Sequence, residues 1–295
     1  MTKSKVPVRF SGQHFTIDSA LIKDAIKHAK LTPQDIVLDI GAGKGFITVH
    51  LLRNARRVIA IEKDIALARH LRRRFSFSTS VDIIACDFQK FAIPQTPFKV
   101  VSNIPFGITS EILRILMFDK IETFSGGSII LQLESARKLF SEKIFNPLLV
   151  VYKTFYSITL LYKIPPESFM PPPTVSCALL KIQRITPALE YELKDKYLAF
   201  VSLLLRKPEQ KVSRALKTLF RKTQIRLISR KFGINLNNQI VCLTADQWKH
   251  CFLEMLRVVP DKFHPAQFDL QSPDFAERKN KVPRIPTSDR EYRTI

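Results

Sequence analysis

The chain has 295 residues, 45% of them hydrophobic, enough for one sizeable core plus a smaller appended domain. Its 47 Lys and Arg against 26 Asp and Glu leave a formal net charge of +21, a self-repulsion most simply kept for a polyanionic partner such as RNA. No stretch reaches the roughly 18 consecutive apolar residues of a membrane span, residues 1–9 lack a signal-peptide core, and the Cys and His residues are scattered without metal-ligand spacing, so the expectation is a cytoplasmic protein with neither membrane contact nor metal.

In chain order, residues 1–12 read as a basic arm, followed by a helix that starts after Asp18 or Ser19 and buries Leu21, Ile22, Ala25 and Ile26. Strand and helix then alternate. Short apolar runs at 36–40, 57–61, 81–85, 99–102 and 128–133 predict buried strands. Helical patterns at 46–52, 65–75, 111–117 and 135–140 fall between or after them. The run 150–162 reads as a strand or strand pair, and 178–182 as another. Such alternation predicts an α/β fold: a mostly parallel sheet with helices on both faces. After residue 183 only helical patterns remain, at 191–205, 212–220, 225–232 and 246–256, rich in Lys and Arg over 206–231. The predicted organisation is a nucleotide-binding domain at 1–182, a small helical RNA-contacting domain at 183–265, and a flexible polar tail at 266–295.

The chain has eight glycines, and Gly41, Gly43 and Gly45 fall within five residues, directly after the first long strand. Glycines there let the backbone turn tightly and approach a ligand without a Cβ clash. The spacing is neither GxGxxG nor a Walker loop, and the lack of GxGxxG argues against a nicotinamide dehydrogenase. Glu62 closes the second strand, where a carboxylate can accept both hydroxyls of a ribose. Asp87 follows the third strand, where it can accept from an adenine amine, with the Phe88 ring packing on the base. Three consecutive strand ends thus point to a bound adenosine moiety.

The fourth strand ends in Asn103-Ile104-Pro105-Phe106. The lone pair of an adenine N6 amine is delocalised into the ring, so an enzyme that alkylates it must draw the nitrogen toward tetrahedral geometry. The Asn103 side-chain oxygen and a backbone carbonyl near Ile104 can accept the two N–H groups. Pro105 fixes the turn without a competing donor, and Phe106 can stack on a flipped-out base.

Together with these motifs, Gly12-Gln13-His14-Phe15, Cys86-Asp87-Phe88 and the stretch from Ser168 to Val175 resemble the rRNA adenine N6-dimethyltransferases, over about residues 8–265. The resemblance implies a Rossmann-like methyltransferase fold with a small C-terminal all-helical domain and S-adenosyl-L-methionine as cofactor. It implies cofactor contacts at His14, Thr16, Gly41, Gly43, Glu62, Asp87, Phe88 and Asn103. It implies a target-adenine site of Asn103, Ile104, Pro105 and Phe106, with Phe169 as a second aromatic wall. Relatives usually carry Asn in place of His14 and often Tyr in place of Phe106.

The Ile-Pro-Phe form and the stretches Gln239–Leu243 and Phe252–Leu256 look closer to the Erm type. Erm-type members methylate one adenine of 23S rRNA and confer macrolide, lincosamide and streptogramin B resistance. That likeness implies a monomer acting on 23S rRNA before ribosome assembly is complete. The alternatives are the housekeeping small-subunit (16S) enzyme, a DNA adenine methyltransferase, and a non-enzymatic RNA-binding module, which would carry a damaged cofactor site.

Overall fold

The computed structural model describes residues 15–186 and 189–265; His14 and the tail at 266–295 lie outside them. Nine strands are present among the described residues: β1 (Phe15–Thr16), β2 (Ile36–Ile40), β3 (Arg57–Glu62), β4 (Val81–Ala85), β5 (Phe98–Asn103), β6 (Phe124–Gln132), β7 (Tyr156–Ile164), β8 (Phe169–Met170) and β9 (Cys177–Arg184). Seven form one sheet in the order β4-β3-β2-β5-β6-β9-β7. The first five run parallel, and β9 and β7 add antiparallel partners. Parallel strands are covered on both faces, which is why β2 is an apolar run with nearly every position buried.

The flanking helices are α1 (Ser19–His28), α2 (Phe46–Leu51), α3 (Ile65–Arg74), α4 (Thr109–Arg114), α5 (Leu133–Leu139) and α6 (Pro147–Phe155). Asp18 caps α1, its carboxylate accepting from the Ala20 and Leu21 N–H groups, and Asp64 caps α3 in the same way. Leu21, Ile22, Ala25 and Ile26 of α1 pack into one cluster with Val37, Val101, Ile130, Cys177 and Leu179 of the sheet.

One prediction fails at α6. Residues 150–155, read as strand, are helical, and strand begins only at Tyr156. Nearly every side chain from Leu148 to Phe155 is buried, Lys153 being the half-buried exception. A helix buried all round has no polar face and so no 3.6-residue signature. The signal that decides for helix is Asn146-Pro147: the Asn146 oxygen accepts the Leu148 N–H at 2.9 Å, and proline suits a first helical position.

The chain forms two compact units. One holds the described residues through Glu142 and again Val151–Tyr191, which includes the whole sheet. The other holds Lys143–Val150 and the described residues from Glu192 on. Its helices are α7 (Lys194–Leu204), α8 (Val212–Leu216), α9 (Lys222–Phe232) and α10 (Ala245–Val258). They close on an aromatic core in which Phe200 meets Trp248 edge-on and Phe252 packs against Tyr197 and Phe200. Among the described residues, no helix is long and apolar enough to cross a membrane.

Candidate active site

The chain lays down β2, β3 and β4 in one direction across the sheet, then returns to place β5 and β6 on the other side of β2. The carboxyl ends of β2 and β5 therefore flank a topological switch point, where open α/β sheets bind ligands. Gly41 follows β2 and Asn103 ends β5.

The glycine loop is held by its own backbone. The N–H groups of Gly41 and Ala42 both donate to the Ile61 carbonyl, at 2.8 and 3.1 Å. Gly41 sits at φ 75°, and a Cβ there would lie 2.9 Å from Pro105 Cγ. The turn that would hold the cofactor thus rests on the turn that would hold the target base, and only glycine permits both the backbone angle and the contact.

Glu62, 3% exposed, accepts the Gly43 N–H on Oε2 and the Asp64 N–H on Oε1, each at 2.8 Å. A carboxylate offers about four lone-pair positions, so these two bonds fix its orientation and leave two acceptors, the number a ribose diol needs. Asp87 accepts from the Gln89 N–H at 3.0 Å and from Lys63 Nζ at 2.8 Å. The Lys63 ammonium, with the Gln89 N–H, holds its carboxyl below the usual carboxylate range. One lone pair remains on each oxygen for an amine donor.

Asn103 is half-buried, and Ile104 is anchored by its N–H to the Ile130 carbonyl at 3.0 Å. Pro105 is exposed at φ −58°, and the half-buried Phe106 rests on the α1 core cluster. The buried Thr109 hydroxyl donates to the Phe106 carbonyl at 3.1 Å, closing the turn. At the N-terminal side, β1 pairs with β8 so that Thr16 faces Phe169, and the Ile17 N–H donates to the Ser168 carbonyl. Thr16 is 3% exposed, and its hydroxyl finds no partner among the described residues, a polar atom suited to a bound ligand.

Two aromatics expected at the site are enclosed by the fold. Phe88 is 4% exposed and belongs to a short turn that packs on α4. Phe169 is 1% exposed and lies in the α1 core cluster, next to the exposed Met170. In each case the ring belongs to the fold's interior, which motif spacing does not reveal.

Sequence reasoning assigned no role to Asp39, the last-but-one residue of β2. It is 1% exposed and accepts the Thr48 hydroxyl at 2.7 Å. Burial pushes its carboxyl up to about 7, against the Thr48 donation and with the Glu62 charge adding. The available signal was an acid inside an otherwise apolar strand. Ser102 was also missed; its hydroxyl accepts the Ile40 N–H and donates to the Ile40 carbonyl, tying β5 to β2 beneath the loop.

A family model, ribosomal RNA adenine dimethylase, matches residues 8–256. The chain belongs to this family. An rRNA adenine N-6-methyltransferase from Bacteroides fragilis is 60% identical over 266 residues, 90% of this chain and all of the relative. A Methanosarcina barkeri protein named "Probable ribosomal RNA small subunit methyltransferase A" is 34% identical over 209 residues, 69% of this chain and 71% of its own length. The crystal structure of the 23S rRNA methyltransferase ErmE superposes with a TM-score of 0.72 at 26% identity, covering 82% of this chain and 99% of that one. The sheet and glycine loop are accordingly those of a Rossmann-like methyltransferase, and the chain is an S-adenosyl-L-methionine-dependent rRNA adenine methyltransferase. The Glu62 acceptors, the Thr16 hydroxyl and the open glycine turn fit that cofactor.

Proposed function

We propose that this enzyme methylates the N6 amine of one adenine in 23S rRNA, before ribosome assembly is complete, and thereby protects ribosomes from macrolides, lincosamides and streptogramin B. The observation that carries the choice of 23S is the likeness to ErmE along nearly all of that chain. The small-subunit relative matches over a shorter part. We take the enzyme to act as a cytoplasmic monomer.

Glu62 holds the ribose of the cofactor, Asp87 its adenine amine, and Gly41, Gly43, Thr16 and His14 close around it. The cofactor supplies an electrophilic methyl group. The Asn103 side-chain oxygen and the Ile104 carbonyl accept the two N–H groups of the target amine, which frees the nitrogen lone pair from the ring and aims it. Phe106 stacks on the extruded base. No strong base is required, because the amine proton becomes acidic once the methyl is on nitrogen and passes to water.

The test is methyl transfer to protein-free 23S rRNA against immature 30S particles. Transfer to 23S alone is expected. Transfer to 30S alone would move the assignment to the housekeeping small-subunit class.

A further inference from the structure

At the opposite edge of the sheet from Asn103, a cavity of about 480 Å³ opens where α1 ends. Its lining includes Lys30, Lys99, Lys181, Arg184, Gln183 and Ser125. The backbone explains why there is a hollow. In register across the sheet, Lys99 of β5 faces Gly126 of β6, which faces Gln183 of β9. Gly126 carries no side chain, and a Cβ there would sit 2.3 Å from the Ile182 carbonyl. Between Lys99 and Gln183, about two strand spacings or roughly 9.6 Å apart, no side chain therefore rises from β6 in that row.

One step deeper, Val101, Ser128 and Lys181 share a row and hence a face. Val101 belongs to the cluster that α1 covers. Beyond the end of α1 the same face turns cationic. Four cations line the hollow and no acid is among its lining residues; Lys99 pairs with Asp35 at 2.9 Å. Lys30 and Lys181 take part in no ion pair among the described residues. Gathering cations around a concavity costs free energy unless an anion enters it.

We propose that this hollow binds a backbone phosphate of the RNA substrate at a second point of contact, away from the target adenine. Lys99 and Asn103 lie four positions apart on β5, about 13 Å along the strand, so the two sites engage different nucleotides. Lys30 and Lys181 supply the free charge, Arg184 and Gln183 the directed donors. Arg184 is already oriented by donations to the Glu122 carbonyl and to Ser125. The inference rests on the RNA-modifying reading but not on which ribosomal subunit is modified.

The experiment measures affinity of the full chain for a long rRNA transcript as a function of salt, for Lys181→Gln, Lys30→Gln and the pair. Lys30 is exposed at a helix end, so its variant folds even if the strand variant does not. The double variant is expected to bind several-fold more weakly, with a slope of log K against log salt shallower by about one. Cofactor affinity, and turnover at saturating RNA, stay unchanged. An unaltered affinity and slope in the Lys30 and the double variants would overturn the proposal. So would loss of inorganic pyrophosphate binding with RNA affinity intact, since the site would then serve a small anion. Failure of the wild-type enzyme to methylate 23S rRNA would instead sink the functional assignment and leave these slopes standing.

Discussion

At the scale of single residues, the site is built by giving each carboxylate a different duty through its surroundings. Glu62 is buried yet held by two backbone N–H groups, and Asp87 sits beside an ammonium. Asp39 is wholly enclosed, and the bonds it receives from Thr48 and Ser102 do not offset that burial, so it keeps its proton far above the ordinary 3.8, up to about 7. The unfolded chain releases that proton near 3.8, and the folded chain holds it until about 7. The stability Asp39 contributes is therefore complete below pH 3.8 and is lost as pH rises through 7, by up to ~1.4 kcal/mol per pH unit within that window. Asp39→Asn keeps an acceptor for Thr48 and removes the titration. Urea midpoints of the cofactor-free protein should fall with pH across this window in the wild type and fall less in the variant. Equal slopes in both would mean that Asp39 is ionised in the fold.

At the scale of elements, the sequence is legible where a local rule decides and silent where packing does. Strands β2 to β5 announce themselves as short apolar runs, and α1 by its Asp18 cap. The strand-end positions of Gly41, Glu62, Asp87 and Asn103 follow from the same runs, which is why this part of the site could be read without coordinates. The inward turn of Phe88 and Phe169 could not, because a ring in a short turn can face either way until its neighbours are known. The two-residue pairing of β1 with β8 joins segments about 150 residues apart and leaves no periodic trace. Helix α6 is the instructive failure. Its apolar run is as compatible with a buried strand as with a buried helix, and the cap decides. Replacing the exposed Asn146 by Ala removes the acceptor for the Leu148 N–H and should cost about 1 kcal/mol. A melting temperature lower by about 2–4 °C would register it, while Asn146→Asp, which also caps, should leave it nearly unmoved. Equal melting for Ala and Asp would mean that the cap contributes nothing.

At the scale of the whole molecule, the charge of +21 has to be placed, because a cation matters to RNA only where it is exposed and not already paired. In the helical unit, α9 buries Ile225 and Ile228 and presents Lys222, Arg226 and Arg230 to solvent. None of those three has an acid within ion-pair distance among the described residues, whereas Lys231 on the same helix is taken up by Glu254. The ordinary reading of such a face is solvation, and salt dependence separates the two. A cation that touches phosphate releases a counterion on binding, so its removal flattens the slope of log K against log salt by about 0.7 to 0.9; a solvated cation leaves the slope alone. Arg226→Ala with Arg230→Ala should therefore weaken rRNA binding at low salt, lower the slope by about one to two, and leave cofactor affinity unaltered. Lys231→Ala serves as the internal control. Its charge is spent on Glu254, so it should change stability rather than slope. If the double variant matched the wild type across salt, the helical unit's positive face would be a solubility feature, and the RNA affinity would have to come from the unit that carries the sheet.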